Sequence, residues 1–256
     1  MGPLSCLLQE AGTPVWRICP HCRDNIISDL KTTAILHHPS KQTGASASFD
    51  ATCRQCARLA DFRATVLKQF PSYLCRPVPP FGASKPKLLL VGLAPGMHGA
   101  NRTGRPFTGD FAGQLLYNTL HRYGFATGPL STSADDGLEL IDCRITNAVK
   151  CLPPQNKPTP AEIRTCNAYL RAELSLQPRP RVVLALGRIA HDAVLVALDL
   201  KASAARFGHS ARHDLANDLI LFDSYHCSRY NTQTRRLTEA MFHEVFDQIR
   251  IAVGAS

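Results

Sequence analysis

The stretch that most limits what this chain can become is Leu88–Asp110, LLLVGLAPGMHGANRTGRPFTGD. Leu88-Leu89-Leu90-Val91 has the length and character of a strand buried on both faces. It breaks at Gly92 into a loop that also holds Gly96, Gly99, Gly104 and Gly109, and a helix-like segment, Phe111–Tyr123, follows. Open α/β sheets build ligand sites from such strand–loop–helix units, beyond the carboxyl ends of their strands. Glycines let a backbone approach a ligand closely and turn N–H groups toward an anion. His98, Arg102 and Arg105 add positive charge for phosphate, and Phe107 adds a ring. Neither G-x-x-x-x-G-K-[ST] nor G-x-G-x-x-G is present, so the common nucleotide fingerprints are excluded. The loop reads as one that binds an anion and a ring.

The rest of the chain alternates. Strands are expected at Lys87–Val91, Arg144–Val149, Arg181–Leu186 and Leu219–Asp223. Helices are expected at Arg54–Phe70 (Leu59, Phe62, Val66 and Leu67 inward) and at Phe111–Tyr123 (Leu115, Leu116 and Leu120 inward). Another opens at Thr159-Pro160-Ala161-Glu162, where Thr as N-cap, Pro at N1 and Glu at N3 spell a capping box. Two more run from Gly187 to about Leu198 and over Thr234–Val253, the last with Leu237, Met241, Val245 and Ile249 inward. Pro71–Pro86 and Lys201–Asn217 read as loops. Strands separated by helices imply a three-layer αβα domain with a short, mainly parallel central sheet. Residues 40–48 are small and polar, as in a linker. The domain is therefore expected over 50–256, with 1–49 as a poorly ordered N-terminal extension.

Charge and cysteine usage narrow the class. Lys and Arg number 29 against 20 Asp and Glu, a net +9. Residues 1–50 hold four of each sign, so the excess sits in the domain and suits a polyanionic partner. No apolar run approaches a membrane span and the start has no secretory-signal pattern, so a cytoplasmic protein without membrane attachment is expected. Ten cysteines in such a chain point to metal or redox use rather than disulfides. Cys53 and Cys56 form a CxxC; Cys151, after the second strand, and Cys166, in the capped helix, are placed to join them. Four thiolates suit either Zn²⁺ or a [4Fe–4S] cluster. Cys19 and Cys22 form a second CxxC in the extension, with no assigned role.

Three separated blocks resemble the uracil-DNA glycosylase superfamily, and within it family 5, the B-type iron–sulfur enzymes. Gly92–Asp110 is similar to that family's first motif, G-L-A-P-x-x-H-G-x-N-R-T-G-R-x-F-T-G-D, at every fixed position. Asn147–Pro154 resembles N-x-V-K-C-x-P-P. In the segment resembling H-P-S-x-x-N-x-x-T-G-R-L, His226, Ser228, Asn231, Thr234, Arg236 and Leu237 match, while Cys227 and Arg235 replace Pro and Gly. The resemblance implies a monofunctional DNA glycosylase acting as a monomer on double-stranded DNA, and also on single strands, near the nucleoid. It would remove uracil and other deaminated bases by base flipping. It further implies a [4Fe–4S] cluster on Cys53, Cys56, Cys151 and Cys166.

Roles follow residue by residue. Phe107 would stack on the extruded base, and Gly92 and Ala94 would line its site. Asn147 has the donor and acceptor to read a pyrimidine edge. His226 would donate to the carbonyl that gains charge as the base leaves. Related families carry an acid in the first motif where this chain has Leu93 and Ala94. Asp110 is the nearest carboxylate, and it either orients water or caps the next helix. Arg102, Ser228 and Arg236 would contact DNA, with the Gly187 amide as a further phosphate contact. Asn101 and Thr103 would shape the loop. The catalytic motifs are read as lacking a Schiff-base lysine, so hydrolysis without strand cleavage is expected. A non-catalytic damage binder and a zinc-stabilised nucleic-acid-binding module are the alternatives.

Overall fold

The computed structural model describes residues 48–254. The expected extension, with Cys19 and Cys22, lies outside the described residues except for its last two positions. The elements in chain order are α1 (Ala57–Gln69), β1 (Phe81–Gly82), β2 (Leu88–Gly92), α2 (Ala100–Thr103), α3 (Phe111–Arg122), β3 (Cys143–Asn147) and α4 (Pro160–Leu174). They continue with β4 (Val182–Leu186), α5 (Arg188–Ala197), β5 (Arg212–Asp214), β6 (Ile220–Ser224), α6 (Arg229–Gln233) and α7 (Glu239–Val253).

The strands form one sheet in the order β1-β3-β2-β4-β6-β5. The inner four are parallel, and the two edge strands pair antiparallel. Every residue of β2, β4 and β6 is buried, as the apolar runs Leu88–Val91, Val182–Leu186 and Ile220–Phe222 require of strands covered on both faces; Asp223 and Ser224 end β6 as buried polar residues. Alternation then sorts side chains between the two cores. Leu88, Leu90, Leu184 and Phe222 meet Leu116 and Leu120 of α3 and Phe242, Phe246 and Ile249 of α7. Leu89, Val91, Val183 and Leu221 meet Leu170 of α4 and Ala193 and Val194 of α5. This is the expected three-layer, mainly parallel α/β fold.

The differences are local. Both edge strands fall in segments read as loops, so the sheet has six strands rather than four. β1 is two residues long between prolines, and β5, Arg-His-Asp, has no apolar alternation, so neither leaves a periodic signal. The strand expected to reach Val149 ends at Asn147. The C-terminal helix starts at Glu239, not Thr234, behind the separate short helix α6. Arg235 between them has φ +55°, a left-handed conformation that stops a helix. Leu237 is fully buried in that connection, while Met241 is half-buried.

The capping box at α4 is complete. Thr159 Oγ1 accepts the Glu162 N–H (3.3 Å) and Glu162 accepts the Thr159 N–H (2.7 Å). The same Glu162 takes two hydrogen bonds from Arg58 of α1, both 2.7 Å. One carboxylate thus starts α4 and ties α1 to it.

Candidate active site and cysteine cavity

From β2 the chain moves to β3 on one side and later to β4 on the other, so the carboxyl ends of β2 and β3 open on a switch point of the sheet. A cavity of about 540 Å³ lies there. Its walls include Leu93, Ala94, Phe107, Asp110, Asn147, Asn156, His226 and Ser228. Gly92 and Asn147, the last residues of β2 and β3, are register partners. A methyl group on Gly92 would sit 2.4 Å from Asn147 Oδ1 and 2.7 Å from Phe107 Cζ. Glycine at 92 is what lets the ring and the amide share the cavity floor.

Phe107 is 6% exposed and belongs to the larger core, yet it also lines the cavity. Its ring lies near-parallel to that of His226, with centroids 5.8 Å apart at 27°. The Asn147 side chain is buried, and its Oδ1 has no hydrogen-bond partner in the protein. An unpaired buried amide oxygen is costly unless a ligand completes it. His226 follows β6, and its carbonyl accepts from Asn231 Nδ2 (2.8 Å). Burial alone pulls its imidazole down to about 4, so the ring is neutral at physiological pH.

Asp110 is the N-cap of α3: its Oδ1 accepts the Gly113 N–H (2.9 Å). Its other oxygen faces Gly99, where an added methyl group would approach Oδ2 to 2.3 Å. Burial raises its pKa above the ordinary aspartate value, against the backbone hydrogen bonds of Gly113 and Ala112. The cap thus engages Oδ1 and leaves Oδ2 outside it. A second cleft, about 780 Å³, shares His98, Asp110, Phe111 and Arg229 with the first and adds Arg102.

Behind the Ala94 wall, Cys53, Cys56, Cys151 and Cys166 line one cavity with Arg63, Val149, Lys150 and Tyr169. Cys56 is the N-cap of α1, Cys166 is seven residues into α4, and Cys151 lies four residues beyond β3. Burial pushes the Cys151 thiol up to about 12, Arg63 opposes that, and the neighbouring cysteines add to it. Burial likewise raises Cys56 and Cys166.

The sequence comparisons fit this arrangement. The family profile described as "Uracil DNA glycosylase superfamily" matches residues 79–250. The chain belongs to that superfamily. It is 47% identical over 207 residues to a type-5 uracil-DNA glycosylase of Thermus thermophilus, covering 79% of this chain and 94% of the relative. A type-5 enzyme of Pyrobaculum aerophilum is 44% identical over 206 residues, 79% and 89% of the two chains. A type-4 uracil-DNA glycosylase of Archaeoglobus fulgidus is 38% identical over 125 residues, 48% and 55%.

Set on the superfamily's motifs, the structure separates cavity residues from those that support them. Ser228 lines the cavity and also caps α6, accepting the Asn231 N–H at 3.4 Å. Arg102 is exposed on the cleft, its Nε donating to His98 O (2.7 Å). Arg236 is exposed over the Tyr225 ring, 4.6 Å from its centroid, and lines neither opening. Arg105 is not free for phosphate. It is buried, paired with Asp136 (2.5 Å), and holds that carboxyl below its usual range despite burial. The Gly187 amide is also occupied, donating to Ser224 O (2.8 Å). Asn101 Nδ2 donates to Cys75 Sγ (3.4 Å), and the Thr103 hydroxyl bonds Gly99 O (3.2 Å), so both brace the loop.

Sequence reasoning passed over several residues. Asn156 and Arg229 line the cavity, and Tyr230, next to Arg229 on α6, is 70% exposed. Lys150 lies inside the Asn147–Pro154 block, but its Nζ is buried against Asn147 O and Thr146 Oγ1, outside the cavity. Arg63 had a signal: it shares the inward face of α1 with Leu59 and Val66 at helical spacing.

Proposed function

We propose that this chain is a monofunctional uracil-DNA glycosylase of the type-5 kind, hydrolysing the N-glycosidic bond of uracil, and of other deaminated bases, in duplex and single-stranded DNA. One observation carries the reading beyond family membership. The unpartnered amide of Asn147 meets Phe107, His226 and Asp110 in one cavity at the sheet's switch point.

The flipped base rests on Phe107, beside Ala94, with Asn147 pairing to its edge and Gly92 giving that ring and amide room to meet. The rings of Phe107 and His226 are too close to hold a base between them, so His226 meets the base at its rim. A neutral imidazole there donates an N–H to the carbonyl on which charge collects as the bond breaks. The free oxygen of Asp110 holds the attacking water and stabilises the cationic sugar. Arg102, Ser228 and Arg236 take the strand's phosphates, Arg102 from the adjoining cleft. Lys150 is turned away from the cavity, in keeping with hydrolysis rather than Schiff-base chemistry.

The four cysteines fit an iron–sulfur cluster. The donor set is all sulfur, and burial disfavours the thiolates unless a cationic centre lies between them. A single Zn²⁺ with bonds of about 2.3 Å holds its sulfurs about 4 Å apart. Among the described residues, the grouping of three metal-capable side chains within 4.8 Å is His191, His213 and Asp223, not these cysteines. Cys53, Cys56, Cys151 and Cys166 would therefore hold [4Fe–4S], which when bound supplies a rigid cross-link between α1, α4 and the segment after β3.

The protein would act as a monomer through residues 50–256, in the compartment that holds the DNA. No helix among the described residues is long and apolar enough to cross a membrane. Incubating the protein with duplexes carrying uracil, hypoxanthine or xanthine tests the reading. Base release from the uracil duplex supports it, and binding without release supports the damage-binder alternative.

A further inference from the structure

Lys150 is 1% exposed, and a buried ammonium is retained only where it is hydrogen-bonded. Its Nζ donates to Asn147 O at 2.9 Å and to Thr146 Oγ1. The geometry explains why that carbonyl needs a donor. The Ala148 N–H points to Gly92 O of β2 (2.9 Å), and across a trans peptide the Asn147 carbonyl faces the opposite side. On that side β1 covers only Arg144 and Ile145, so the end of β3 has no strand neighbour. The lysine side chain folds back three residues and stands in for the missing strand.

The main chain of Lys150 is fixed at both ends. Its N–H donates to Cys166 Sγ (3.3 Å) and its carbonyl accepts the Val78 N–H (2.7 Å). The Asn147 side chain, by contrast, has no protein partner at Oδ1, so its aim depends on where its backbone sits. Within the glycosylase reading above, in which Asn147 reads the base, we propose that Lys150 is a positioning residue. Its ammonium fixes the Asn147 backbone, and its main chain sets that position from the cysteine cavity.

The test compares Lys150→Met with the iron-loaded wild type, using excision kinetics and the affinity for a duplex carrying uncleavable 2′-fluoro-deoxyuridine. Loss of one charge-assisted hydrogen bond is expected to lower kcat/KM for uracil by about 10- to 100-fold. Affinity for the uncleavable duplex should fall in parallel and the uracil-to-hypoxanthine preference should shift, with iron content unchanged. In an Asn147→Ala background the same change should add less than about 3-fold, because it acts through that amide. Thr146→Val, which removes only the second anchor, should move affinity the same way by a smaller factor; it decides the matter if Lys150→Met fails to fold. Wild-type affinity in both variants, or a full multiplicative loss on top of Asn147→Ala, would overturn the proposal. Failure of the wild type to release uracil would instead overturn the glycosylase reading, and it shows before any variant is compared.

Discussion

His226 lines the cavity as a neutral ring, and that sets its pH behaviour. Its folded pKa of about 4 lies below the ordinary 6.5, so between those values the unfolded chain binds more protons. Its contribution to stability is therefore full above pH 6.5 and declines as pH falls toward 4, which melting curves at pH 7 and pH 5 check. The excision rate should show no step near pH 6.5, and His226→Ala should slow single-turnover cleavage by roughly 10²-fold. An inflection near 6.5 that vanishes in His226→Ala would contradict the neutral-donor role. Asp110→Asn keeps an oxygen to cap α3 and removes the charge. A large rate loss at unchanged melting temperature is expected; a lowered melting temperature at unchanged rate would make Asp110 a cap only. Arg235 occupies a left-handed conformation where the family motif has Gly. Arg235→Gly should therefore stabilise the fold, by up to about 1 kcal/mol, as read by denaturant midpoint. A destabilised variant would show that the Arg235 side chain makes a compensating contact.

Among the elements, α1 depends most on what it is tied to. Its N-cap, Cys56, offers no side-chain cap, and its inward face carries a buried arginine. Its anchors are the Arg58–Glu162 pair and the cysteine cavity it shares with α4. Cys151→Ser should abolish visible absorbance near 400 nm and lower the melting temperature, with the earliest hydrogen exchange in α1. A colourless, zinc-containing wild type after anaerobic purification would remove the iron–sulfur assignment. The elements also show where sequence is informative. β2, β4 and β6 are legible because burial on both faces leaves the apolar runs Leu88–Val91, Val182–Leu186 and Leu219–Phe222, and α4 because its capping box is local. The edge strands are not, since pairing to β3 and β6 defines them, and no residue type in Phe81–Gly82 or Arg212–Asp214 announces a neighbour.

For the whole molecule, the fold class follows from alternation, and the cavity from the motif that ends β2. What the chain could not disclose is which polar residues pair with each other. Arg105 and Arg102 look equivalent in one loop, yet Asp136, 31 residues on, neutralises the first and leaves the second on the cleft. Nor does the sequence show that β1 is too short to cover β3, so that the Lys150 ammonium turns in to the Asn147 carbonyl. The net charge of +9 acts at this scale as well, and uracil excision is expected to weaken as salt rises. The most direct measurement is single-turnover incubation of the iron-loaded protein with a uracil-containing duplex, with the products identified by mass. Free uracil and an unbroken strand bearing one abasic site are expected, with the yield lost when Gly92→Leu pushes Phe107 and Asn147, its close neighbours, out of place. Tight binding without free uracil, or release undiminished in Gly92→Leu, would contradict the assignment of this cavity as the catalytic site.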